Sequence, residues 1–93
     1  MAYFPTISSS KLYCFPDQRK LQGCLSRFEF NSDVINIAAK YFSCSQHVYE
    51  GINFSAHQIL KTSGTSSNDF KDLQVKLVQG LINCARKSHG GRS

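Results

Sequence analysis

Cys44 and His47 stand as Cys44-Ser45-Gln46-His47, a C-x-x-H spacing that lets both side chains reach one zinc ion. Cys14, Cys24 or His57 would complete a tetrahedral set. A zinc-built fold normally uses two close pairs, and Cys14 and Cys24 are too far apart in sequence to supply the second. Cys84 falls on an apolar helical stripe and Cys14 inside an apolar run, positions where a cysteine serves as a small hydrophobe. The expectation is buried, reduced thiols with no metal and no other cofactor. Cys44 and His47 are the positions a zinc ion would use. Spacing leaves the pairing of any disulfides among the four cysteines open.

The same residues can be read as a nucleophilic dyad, with Cys44 activated by His47 or His57. No family signature surrounds any of these cysteines. Acids number only six, and Asp17, Glu29, Asp33 and Glu50 each fit a turn, a surface or a helix cap. Gly64 stands alone in Lys61-Thr-Ser-Gly-Thr-Ser-Ser67, without the second glycine and lysine of a phosphate-cradling loop. The sequence reads as a protein that is not an enzyme.

Charge points elsewhere. Eleven Lys and Arg against six Asp and Glu give a net charge of +5, an excess that comes from missing acids rather than added bases. A chain with few acids repels a polyanion less, so phosphate is a favoured class of partner. The opening segment interleaves cations with aromatics, namely Lys11, Tyr13, Phe15, Arg19, Lys20, Arg27, Phe28 and Phe30. That is the composition of a surface that neutralises phosphates and stacks bases. Phosphate contacts are therefore expected at Lys11, Arg19, Lys20, Arg27, Arg86 and Lys87, and stacking at Tyr13 and Phe28. The opposing reading is that these rings are core and the cations merely solvated.

Elements must position those groups. Pro5 and Ser8 to Ser10 mark residues 1–10 as a loose arm, and residues 11–93 as one domain. Lys11 to Phe15 is rich in β-formers and stops at Pro16-Asp17, which is turn chemistry. Leu21, Gly23 and Leu25 alternate, so Leu21 to Phe30 reads as a second strand and residues 16–20 as a hairpin turn. Asn31-Ser32-Asp33 is a helix entry, followed by Val34, Ile35, Ala38, Tyr41 and Phe42 at helical spacing over 33–43. From Cys44 to Leu60, Val48, Ile52, Phe54 and Ala56 return to period two and predict one long strand or a hairpin. From Asp69, the stripe Phe70, Leu73, Leu77, Leu81 and Cys84 predicts a helix over 69–89, stopped by Gly90-Gly91. Gly80 inside it points to close approach of another backbone.

The order β-β-α-β(-β)-α predicts an α+β two-layer sandwich, with an antiparallel sheet of three or four strands under a long C-terminal helix. Its function reads as non-enzymatic nucleic-acid binding, RNA more than DNA, through phosphate neutralisation and with self-association as a homodimer. The competing reading is a protein-interaction adaptor that uses Leu77, Val78 and Leu81 of the last helix as its interface. No apolar run is long enough to span a bilayer. Met1 to Ser10 lacks the basic start and apolar run of a secretory signal, which points to the cytoplasm or nucleus.

Overall fold

A computed structural model describes residues 11–66 and 68–89. The arm expected over 1–10 and the glycine stop at 90–91 lie outside the described residues. The chain runs β1 (Lys11–Cys14), α1 (Gln18–Leu25), α2 (Ser32–Phe42), β2 (Gln46–His47), α3 (Tyr49–Thr62), α4 (Phe70–Cys84) and β3 (Arg86–His89).

The molecule is mainly helical, which overturns the expected sandwich. Its sheet is three very short antiparallel strands in the order β2-β1-β3. The largest fully buried side chains are Phe42, Leu21, Leu25, Ile52, Leu60, Leu77, Leu81 and Val78, and every one of them lies on a helix. Helix-on-helix packing holds this core, with α3 against α4, α1 against α2 and α4, and α2 against α3. The sheet adds Tyr13, with Phe15 just beyond β1.

Two segments read as strands are helices. Pro16-Asp17 does not turn a hairpin. Asp17 instead caps α1, its carboxylate accepting a hydrogen bond from the Lys20 amide at 2.9 Å. Leu21 and Leu25 then bury one face four residues apart. The alternation of Leu21, Gly23 and Leu25 was compatible with that helix as well, because a short apolar run does not distinguish the two periods. The second case is α3. Ile52, Ser55, Ala56, Ile59 and Leu60 are its buried residues, a spacing of i, i+3, i+4, i+7 and i+8 that only a helix produces. Phe54, which completed the alternating pattern, faces solvent.

The other two helices follow their sequence signals more closely. Asn31 caps α2 by accepting from the Asp33 amide at 2.8 Å, within the helix entry read at Asn31-Ser32-Asp33. The stripe on α4 buries Leu77 and Leu81 as anticipated. That helix nevertheless stops at Cys84, where the backbone of Ala85 becomes extended and β3 pairs with β1. Gly80 meets no foreign backbone. An added Cβ there would lie 3.4 Å from the Phe30 ring and 3.6 Å from that of Phe28, so the two phenylalanines of the α1–α2 loop close over the helix at this point.

Candidate anion-binding site

The pairing of β1 with β3 joins the two ends of the described chain. Lys11 lies opposite His89, Tyr13 opposite Lys87 and Cys14 opposite Arg86. Residues directly across an antiparallel ladder share a face of the sheet. Tyr13 turns inward to the core, so Cys14 and Arg86 share the outer face. Helix α1 begins just beyond β1 and carries Lys20 in its first turn. Between these elements lies a cavity of about 450 Å³ lined by Cys14, Phe15, Pro16, Lys20, Cys84, Ala85 and Arg86.

Its chemistry is simple. Lys20 and Arg86 are exposed cations; Phe15, Pro16, Ala85 and the two cysteines are apolar or weakly polar. Asp17 is the acid nearest in sequence to Lys20, and its carboxylate is turned onto the α1 amide it caps. Among the described residues, Lys76 with Glu29 at 3.9 Å is the one ion pair. Arg86 offers a planar fork suited to a phosphate and Lys20 a compact point charge.

The sequence-predicted residues separate into groups. Lys20 and Arg86 converge on the cavity. Lys11, at the far end of β1, and Lys87, by its backbone position on β3, belong to the same sheet. Arg19 lines a different depression, with Gln22, Gly23, Ser26, Ser32, Ile35 and Asn36. Arg27 lies past the other end of α1. The two expected stacking rings differ in exposure: Tyr13 is buried and Phe28 half-buried. Tyr13 is only 7% exposed, and Phe28 packs near Gly80 beside Phe30, their ring centroids 6.1 Å apart. Tyr13 does stand on a strand, β1, whereas the strand read over Leu21 to Phe30 that was to carry Phe28 is helix α1 and the loop after it.

The thiols are not all reduced. Cys24 and Cys84 form a disulfide with Cα atoms 5.9 Å apart, within the range a relaxed bridge requires. Helix α1 packs on α4, which brings the two cysteines together. Cys14 and Cys44 remain free. Cys44 and His47 do not build a metal centre with a third ligand; among the described residues no three His, Cys, Asp or Glu side chains cluster in the way a metal ion needs. His47 lies instead among rings, 4.9 Å from Phe42 and 6.1 Å from both Phe15 and Tyr41, and its Nε2 is 3.1 Å from the Ser45 hydroxyl. Burial in this cluster pulls its pKa below 6.5, since desolvation penalises the imidazolium.

The expected interface on α4 is also displaced. Leu77, Val78 and Leu81 are all in the core. Tyr41, 56% exposed, and Phe54, 66% exposed, stand over a groove of about 260 Å³ between α2 and α3, with Ile37 and Ile59 in its wall. A helical reading of α3 would have shown Phe54 off the buried stripe. The cavity wall at Phe15, Pro16 and Ala85 had no such local signal, because it is assembled by strand pairing between distant segments. No protein-family model, no curated protein and no solved structure matches this chain.

Proposed function

We propose that this chain is a non-enzymatic protein that binds RNA through its phosphates, without reading base sequence. The observation that carries this is the convergence of Lys20 of α1 and Arg86 of β3 on one cavity; Lys11 and Lys87 hold the alternate register positions of the same strand pair. Phosphate contacts position a nucleic acid, whereas base contacts specify it. With Tyr13 in the core and Phe28 packed near Gly80 beside Phe30, the reading rests on phosphate contacts rather than on base stacking. Without base readout the preference is for a single strand, the common form of RNA, because a single strand bends a phosphate into a concave site more easily than a duplex does.

The Cys24–Cys84 bond fits an oxidising compartment better than the cytoplasm or nucleus expected from sequence. No described helix is long and apolar enough to cross a membrane.

Fluorescence anisotropy of a labelled single-stranded RNA across a salt series tests the reading. Log affinity should fall linearly with log salt, by about 0.7 per phosphate contact on a single strand. Lys20→Ala and Arg86→Ala should each weaken binding across all sequences and reduce that slope by about one contact. Salt-independent binding, or none at low salt, overturns the proposal.

A second reading has its own observation. The groove under Tyr41 and Phe54 is apolar, and exposed aromatics beside a concave site are characteristic anchors of protein interfaces. An adaptor or homodimer built this way uses α2 and α3, since Leu77, Val78 and Leu81 are occupied in the core. Sedimentation of wild type against Phe54→Asp distinguishes it: a fall in mass, or loss of a captured partner, with the fold retained, supports the groove as an interface.

A further inference from the structure

The cavity between β1, α1 and β3 is larger than a bare phosphate needs, and about half of its wall is apolar. Its volume of about 450 Å³ lies in the range of sites that take small organic ligands. Lys20 and Arg86 answer the charge of one phosphate. A phosphate alone would leave the half-buried Pro16, Ala85, Cys14 and Cys84 against water. An occupant with a charged head and a flat, weakly polar body covers both parts of the wall.

We infer that this cavity is a subsite for a single nucleotide, with the phosphate held by Lys20 and Arg86 and the nucleoside laid against Pro16 and Ala85. The inference rests on the RNA-binding reading and adds its unit of recognition. A terminal nucleotide enters such a pocket more readily than one inside a duplex, because nothing stacks on its outer side. The two cations come from segments far apart in sequence and meet only because β3 pairs with β1. Nucleotide binding therefore ties the C-terminal strand to α1 and depends on the ladder being formed.

Cys14 provides the readout. Its thiol is free and half-buried in the cavity wall, while the free Cys44 is exposed and not part of that wall. The oxidised protein, without reductant, is treated with a neutral alkylating agent, and modification of each cysteine is followed by mass spectrometry. Uridine 5′-monophosphate at ten times its dissociation constant should slow modification of Cys14 by about tenfold and leave Cys44 unchanged. Inorganic phosphate at the same concentration should slow it less than about twofold, as its weaker occupancy implies. Lys20→Ala and Arg86→Ala should abolish the protection; both residues are exposed, and circular dichroism confirms that each variant is folded.

Equal protection by phosphate and nucleotide overturns the nucleotide subsite. No protection by nucleotide up to about 10 mM, with oligouridylate still bound in a salt-dependent way, overturns the subsite and leaves the RNA-binding reading intact. Absence of oligouridylate binding overturns both.

Discussion

Cys24 of α1 is bonded to Cys84 in the last turn of α4, closing a loop with a sequence separation of 60. The bond holds the first helix against the last, next to the point where α4 gives way to β3. In the chain-entropy account, a crosslink over a loop of this length restricts the unfolded ensemble by up to about 4 kcal/mol. The double variant Cys24→Ser, Cys84→Ser should lose about 2–4 kcal/mol of stability, read from urea denaturation of the oxidised proteins. An unchanged midpoint and slope would show that the bond constrains nothing the packing does not already hold.

Leu77 and Phe54 mark the two sides of the helical layer. Leu77 is fully buried, and truncation to Ala should cost about 2–5 kcal/mol through lost burial and the cavity left behind. Phe54 is largely exposed, and Phe54→Ala should stay within about 0.5 kcal/mol of wild type. Leu77→Asp should unfold the protein rather than lower an oligomer mass. Paired denaturation curves and one sedimentation run check all three.

Gly80 lies under Phe28 and Phe30. Alanine is the better helix former by about 1 kcal/mol, and its Cβ would meet the Phe30 ring at 3.4 Å, an ordinary van der Waals contact. Gly80→Ala should therefore be neutral to slightly stabilising. Gly80→Leu must displace both rings and should cost about 1–3 kcal/mol through overpacking. Thermal melts of the two variants decide between ring packing and mere tolerance as the reason for glycine.

His47 confers a pH dependence with a definite sign. Its folded pKa is pulled below 6.5 by burial among Phe15, Tyr41 and Phe42. As pH falls through 6.5 the unfolded chain takes up a proton that the folded chain still refuses, so unfolding gains free energy. The stabilisation from neutral His47 is complete above 6.5 and is lost as pH falls to the folded value. His47→Phe should flatten the melting temperature between neutral pH and pH 5 relative to wild type. Equal slopes in both proteins would show that other groups carry the dependence.

Helices α2 and α4 were legible because their signals are local. Asn31 and Asp33 at the entry of one, and the stripe of Phe70, Leu73, Leu77 and Leu81 in the other, specify helix through neighbours within a few residues. The segments at Leu21 to Leu25 and Ile52 to Leu60 were not, because their apolar residues satisfy both period two and period 3.6. For α1 the Asp17 cap and packing against α2 and α4 decide the period. For α3 the burial of Ser55 and Ile59 decides it, together with the exposure of Phe54.

The amino-acid order alone fixed the net charge of +5, the cations available to meet an anion, and two of the four helices. Tertiary structure chose the partners: Cys84 for Cys24, Arg86 for Cys14, the core rather than solvent for Tyr13, Leu77 and Leu81. Periodicity reports which side of an element is apolar. It carries no information on which distant element covers that side, and a cavity walled by β1, α1 and β3 exists only once the two strands have paired.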